Sequence, residues 1–379
     1  MLYLVGIIIS FFLVFILWGK KDKSQADNIL AVWLFFSGVH LSLFYLFITK
    51  QYLEFPFLLG IELPLPLAHG PFLFLYVKAL TQSYPLKKNI LLHFIPILIV
   101  IAMFSSFFIL PSDKKIEIYR NEGAGYEFSL AFLYFAIILS GTGYSLFSLQ
   151  KLHKHQRNIS DRFSFNEKIN LTWLRYLIWG SVFIWFTVVF GTDTQVYTAI
   201  VLYILFIGYF GIKQVGIFSN RQLNNNKPTT SDFYIQELSP EKAKYEKSNL
   251  TDNQMQAIHG TLCELMLAER PYSNPELTLL DLAQQVHVHP NTLSQVINSI
   301  EQRNFFDYIN AHRVEAFKQA ILLPENQKFT LLSIAFDCGF NSKTSFNRNF
   351  KKVTGLSPSE YLKQQDINLL QLNARTTSF

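Results

Sequence analysis

Cysteine is almost missing from this 379-residue chain, which has Cys263 and Cys338 and no other. Neither has Cys or His neighbours at metal-ligand spacing, so a zinc site is excluded and the two read as reduced, structural thiols. Paired carboxylates and Glu-x-x-His spacings are also absent from the apolar half, as is any nucleophile–base constellation. No catalytic residue, metal ligand or cofactor is therefore assigned, and a membrane-bound enzyme has little to stand on. Basicity is missing where a nucleic-acid partner would want it. The net charge of +6 divides into +5 for residues 1–212 and +1 for residues 213–379, so global charge cannot argue for DNA.

What is abundant is hydrocarbon. Half of the residues are hydrophobic, and a positive mean hydropathy is too apolar for one soluble fold. Phe, Leu and Ile crowd positions 1–212, and polar residues dominate from about Ser219. Seven stretches approach the roughly 20 apolar residues that a spanning helix needs. They cover residues 2–18, 29–49, 63–80, 90–110, 128–149, 173–190 and 196–212. Pro64, Pro66 and Pro71 interrupt the third, which is expected to kink or to enter only part of the bilayer. No positive side chain precedes the first stretch and no small-x-small site follows it, so it reads as an uncleaved first span rather than a signal peptide.

Loop charges set the orientation. With the N-terminus outside, Lys20, Lys21, Lys23, Lys87, Lys88, Lys151, Lys154, Arg157, Arg162 and Lys168 fall on the cytoplasmic side. Lys50, Lys114, Lys115 and Arg120 fall outside. Seven spans then deliver the polar C-terminal half to the cytoplasm, in a multi-pass protein of the inner (cytoplasmic) membrane. His40, His69, His93, Glu62 and Asp193 are ionisable groups within or beside the spans. Such residues either line a ligand or proton-sensing pocket or simply hold helices together by hydrogen bonds.

Residues 213–250 form a polar linker, and residues 365–379 a tail. Between them, Thr251 or Asp252 caps a helix carrying Met255, Ile258, Leu262, Leu265 and Met266 at helical spacing. The run LTLLDLAQQVHVHPNTLSQVINSI then reads as a helix-turn-helix. Ala283 marks the helix crossing, Pro290 starts the second helix, and Val288, Leu293 and Ile297 face the core. Fifty-two residues on, the pattern returns in LLSIAFDCGFNSKTSFNRNFKKVTG, with Ala335, Cys338, Phe340, Phe346 and Phe350 in the places of Ala283, Val286, Val288, Leu293 and Ile297. Gly339 supplies a left-handed turn residue where the first unit has His287. An amphipathic helix over residues 305–323 joins the units, and its Arg313 is expected to pair with a carboxylate such as Asp337.

With the linking stretch NFFDYINAHRVEAFKQAILLPEN and the second-unit stretch SIAFDCGFNSKTSFNRNFKKVTGLSPSEYLK, residues 251–364 resemble the DNA-binding domain of AraC/XylS transcription regulators. The apolar half is similar, more loosely, to the membrane-anchored variant with a multi-span sensor. The resemblance implies an all-α chain: a bundle of about seven spans at 1–212, a linker at 213–250 and a double helix-turn-helix at 251–364. It further implies that each unit lays its second helix in a major groove of double-stranded DNA. By position, Asn291, Thr292, Ser294 and Gln295 face the groove in the first unit, and Lys343, Thr344, Ser345 and Arg348 in the second, with Gln295 and Asn291 suited to adenine and Arg348 to guanine. Lys351, Lys352 and His289 are placed for phosphate, and residues 341–363 hold a local net charge of +4.

The expected function is a membrane-embedded, sequence-specific DNA-binding transcription regulator. It would respond to an unidentified ligand or signal at the bilayer or outer face, and dimerisation through the bundle would raise effective concentration on paired sites. The alternative is a transporter or channel with a regulatory nucleic-acid-binding appendage, which needs a continuous polar path through the bundle.

Overall fold

The structure, a computed structural model, describes residues 1–21, 23–82, 86, 88–165, 171–213, 250–326 and 328–364. Among them there is no β-strand, and an isolated bridge joins Phe163 and Thr278. Nearly all of the expected linker and the whole of the expected tail lie outside the described residues. The chain divides into two compact units: Met1–Lys154 with Thr172–Lys242, and His155–Leu171 with Ala243–Phe379.

In the first unit, α1 (Leu2–Gly19) packs on α2 (Gln25–Ile48), and α2 on α3 (Pro66–Thr81). Two short helices, α4 (Ile95–Met103) and α5 (Ser105–Phe108), and α6 (Ser112–Arg120) precede α7 (Glu127–Arg162). Next comes α8 (Thr172–Phe190), which packs on α9 (Asp193–Lys213), and α9 also meets α1. Five helices among the described residues are long and apolar enough to cross a membrane: α1, α2, α7, α8 and α9. The third expected segment is a helix of 16 residues, because Pro66 sits in its first turn and starts it late; Pro71 is accommodated inside. The fourth is broken into a 3-10 stretch, Lys88–Phe94, followed by α4 and α5, with Pro96 in the first turn of α4.

Five hydroxyls within the apolar helices are satisfied locally, and Ser10 of α1 donates instead to Leu34 O of α2 at 2.6 Å. Ser37, Thr81, Thr142, Ser145 and Ser148 each donate to the carbonyl four residues earlier, so none presents an unpaired hydrogen to hydrocarbon. Four of the five ionisable groups named from the sequence also have partners. His40 and His69 meet ring to ring, His93 bonds the Tyr144 hydroxyl at 2.9 Å, and Glu62 accepts from Tyr119. The α1–α2 turn is tied by a Lys20–Asp27 ion pair at 2.8 Å, beside a capping box between Ser24 and Asp27.

The second unit is built around one shared helix. Thr251 caps α10 (Asp252–Ala268) in a capping box with Gln254. Helices α11 (Leu279–Gln285) and α12 (Pro290–Ile300) form the first helix-turn-helix, and α14 (Leu331–Asp337) and α15 (Lys343–Thr354) the second. Between them runs α13 (Phe305–Ala320). Phe305, Tyr308 and Ile309 of α13 enter one core with Leu262, Met266, Leu282, Leu293 and Ile297. Val314 and Phe317, one to two turns further along, enter a second core with Ala335, Phe340, Phe346 and Phe350. The two units are thereby fixed to opposite halves of a single rod, since each core buries a different stretch of it.

Candidate nucleic-acid interface

The two turns close with the same backbone bonds. In the first, Val288 N–H donates to Ala283 O at 3.0 Å and His287 N–H to Gln284 O at 3.2 Å. In the second, Phe340 N–H donates to Ala335 O at 3.1 Å and Gly339 N–H to Phe336 O at 2.9 Å. Both turn residues are left-handed, with φ of 58° at His287 and 97° at Gly339, so a histidine here adopts the conformation that glycine takes without strain. Ala283 and Ala335 are wholly buried where the paired helices cross.

Each recognition helix is capped by its own sequence. His289 Nδ1 accepts from Asn291 N–H at 3.2 Å, and Pro290 follows in the first turn. Because Nδ1 is the acceptor, neutral His289 carries its hydrogen on Nε2, which suits an anion beside the helix start. Ser342 Oγ caps α15 by accepting from Ser345 N–H at 3.1 Å.

Of the groove-facing candidates, Asn291, Lys343, Thr344, Arg348, Lys351 and Lys352 are exposed, and Thr292, Ser294 and Gln295 are half-buried. Ser345 is corrected: it is 4% exposed, and both its Oγ and its carbonyl accept from Asn349 Nδ2. The reason is helical phase. Ser345 lies one residue from the core anchor Phe346 and four from buried Asn349, on the inward side of α15. Asn347 is exposed instead, and its spacing of four from Lys343 and from Lys351 puts it on their face. The spacing of four is the sequence signal that marks Asn347.

Two of the basic groups have partners within the unit. Arg348 lies over the Phe306 ring, 5.8 Å from its centroid, and Lys352 Nζ pairs with Asp307 Oδ1 at 2.6 Å. Both contacts brace α15 against the first turn of α13.

Arg313 differs from its expected role. It is 2% exposed and makes no ion pair with Asp337. Its Nε donates to Tyr272 O at 2.8 Å and its Nη2 to Asn274 O at 2.7 Å. Nη1 reaches Ser164 O at 3.1 Å and Nη2 reaches Ser164 Oγ at 3.0 Å. Burial pulls the guanidinium down to about 9, so the cation is held by carbonyl dipoles and a hydroxyl rather than by a carboxylate. Ser164 is fixed from the other side as well: its N–H and Oγ donate to Leu277 O at 3.2 and 2.7 Å, and Asn310 Nδ2 donates to its carbonyl at 3.0 Å. Phe163 and Ser164 fall between the expected spans 128–149 and 173–190, where nothing local in the sequence signals a pairing more than 100 residues away.

Residues 282–364 match the Helix-turn-helix domain family. The chain is similar to the HTH-type transcriptional regulator YtdP of Bacillus subtilis, 25% identical over 124 residues, which cover 33% of this chain and 14% of that protein. It is also similar to the melibiose operon regulatory protein of Escherichia coli, 32% identical over 87 residues (23% of this chain, 28% of the relative). A third relative is the transcriptional activator RhrA of Rhizobium meliloti, 27% identical over 95 residues (25% and 30%). The chain thus spans less than a third of the length of these three relatives. No solved structure matches it. With the repeated turns, the shared helix and these relatives together, the C-terminal domain is an AraC-type helix-turn-helix DNA-binding domain.

Proposed function

We propose that this chain is a membrane-embedded, sequence-specific transcription regulator that couples a signal in the bilayer or at the outer face to promoter binding. In this reading the apolar half crosses the inner membrane about seven times, with the N-terminus outside and the DNA-binding domain in the cytoplasm. Supporting the membrane assignment, α1 leaves Ile8 66% and Phe15 73% exposed; hydrocarbon would cover such side chains at no cost. The broken third and fourth segments complete the count as shorter or interrupted crossings.

The observation that carries the coupling is the composition of the second unit. Residues 155–171, which run on from the apolar part of α7, belong to it, and Ser164 holds Arg313 of the helix that serves both recognition units. The proposed route of coupling is the chain itself, since α7 runs on into the segment whose Ser164 is bonded to Arg313. Asn291, Thr292, Gln295, Lys343, Thr344, Asn347 and Arg348 are assigned to bases, and Lys351, Lys352 and His289 to phosphates. Ser294 stays among the base candidates, since its Oγ accepts from Asn298 Nδ2 at 3.3 Å and keeps its own hydrogen to donate. A dimer joined through the bundle would occupy paired sites.

The test is genome-wide mapping of sites bound by the full chain, followed by affinity measurements in lipid nanodiscs on a recovered site and on random duplex. Salt-dependent preference for the recovered site is expected. Equal affinity for both duplexes, or a C-terminal reporter found outside the cell, defeats the proposal. A transporter or channel reading would instead show solute flux into liposomes. Against it, the intramembrane histidines are bonded to neighbouring side chains rather than strung along an open path.

A further inference from the structure

Four side chains in the first unit form a hydrogen-bonded row whose direction is dictated by its first member. Trp33 Nε1 can only donate, and it reaches His69 Nδ1 at 3.1 Å. His69 is therefore protonated on Nε2, which faces His40 Nδ1 at 3.1 Å and must donate to it. His40 in turn carries its hydrogen on Nε2, 3.0 Å from the Tyr197 oxygen. Both histidines are neutral in this row, and Tyr197 accepts, so its own O–H is left to donate elsewhere. Among the described residues no acceptor for that hydrogen is recorded.

The row borders a cavity of about 210 Å³ between α2, α3, α7, α8 and α9, whose wall is mostly aliphatic and aromatic. Trp185, 6% exposed, is part of that wall, and its Nε1 is buried with no hydrogen-bond partner. The indole lies flat against Gly141 of α7, where a Cβ would overlap the ring, so the backbone itself makes room for it. Asp193 and Tyr197 are shared with an adjoining cavity of about 670 Å³. Tyr197 lines this mostly apolar space, and its unpaired hydroxyl hydrogen asks for an acceptor there.

We propose that this cavity is a binding site for a small, neutral, largely apolar molecule bearing a carbonyl, which accepts a hydrogen bond from the Tyr197 hydroxyl. The carboxylate of Asp193 at the same wall disfavours an anion. Size sets the class, since an apolar cavity of roughly 150 Å³ holds benzene, and this one takes a ring with a fused or short substituent. The site deepens the sensor reading above by naming the chemistry of its signal, and it rests on that reading only for the consequence of binding.

The probe is 1-tetralone, with tetralin as its twin lacking the oxygen, added to the full chain in nanodiscs. The ketone is expected to bind at least about five-fold more tightly than tetralin, one hydrogen bond's worth, and its carbonyl infrared band to shift to lower wavenumber on binding. Tyr197→Phe should weaken the ketone by about five-fold and leave tetralin unchanged. Thermal unfolding without ligand checks that this variant folds, and Gly141→Ala, which crowds Trp185 in the cavity wall, should weaken both probes. Equal binding of the two probes, or the same carbonyl band shift in Tyr197→Phe as in the unsubstituted protein, overturns the site. If the ketone binds as expected but promoter affinity of the same sample does not change, the site stands and the sensor reading falls.

Discussion

Arg313 donates two hydrogen bonds to Ser164, a residue 149 positions earlier in the chain, and through them fastens the extension of α7 to the helix on which both recognition units are built. The contact is buried, and its donors are spread over one guanidinium that also holds the Tyr272 and Asn274 carbonyls. Removing either partner leaves polar groups without water or protein to bond.

Ser164→Ala should therefore destabilise the second unit by about 1–3 kcal/mol, since the hydroxyl both accepts from Arg313 and donates to Leu277. Arg313→Met, which strands two carbonyls and the serine, should cost about 3 kcal/mol or more. Amide hydrogen exchange along α13 in the full chain reads both effects. Protection equal to that of the unsubstituted protein would show the fastening to be energetically idle.

The two turn residues predict opposite outcomes. A Cβ on Gly339 would overlap Tyr272 O and come within 2.9 Å of Arg313 Nε, so Gly339→Ala should destabilise by about 2 kcal/mol or more. His287→Gly relieves a left-handed histidine and should stabilise by up to about 1 kcal/mol. Denaturant midpoints of the two variants should move apart.

Base and phosphate contacts differ in what they cost. Arg348→Ala and Gln295→Ala should each lose about 1–3 kcal/mol of discrimination at one base position. Lys351→Ala should instead weaken binding on every sequence alike and reduce the salt slope by about 1. Ser345→Ala should leave sequence preference intact, because that hydroxyl faces Asn349. Competition binding against single-base variants of a recovered site separates the three patterns.

Stability should also depend on pH through His312, which stacks on Tyr272 and meets Tyr308 edge-on. Burial is the largest cause of its lowered proton affinity; Glu301 and Glu315 oppose it and Arg303 adds to it. A folded-state value below the ordinary 6.5 means that the unfolded chain binds the proton more readily. The stability is thus complete above about pH 6.5 and is lost as pH falls through the lower folded-state value. Thermal unfolding across this range should show the decline, and His312→Gln should flatten it.

Much of the DNA-binding unit was legible because its signals are local. The 52-residue repeat of a small crossing residue, a left-handed turn and two core anchors placed both helix-turn-helix units, and His287 took the conformation that its alignment with Gly339 required. The apolar runs marked the helices of the first unit by composition. Where proline entered the runs, composition overstated length: α3 begins only at Pro66, and the fourth run is divided.

Composition and periodicity by themselves determined the helical class and the division of the chain into greasy and polar stretches, since each depends on neighbours within a few turns. Tertiary packing alone decided the carbonyl cage around Arg313, the recruitment of Ser164 and the row from Trp33 to Tyr197. These are meetings of groups far apart in the chain, and a hydrogen bond's partner is chosen by where the backbone has been carried, which no local pattern encodes.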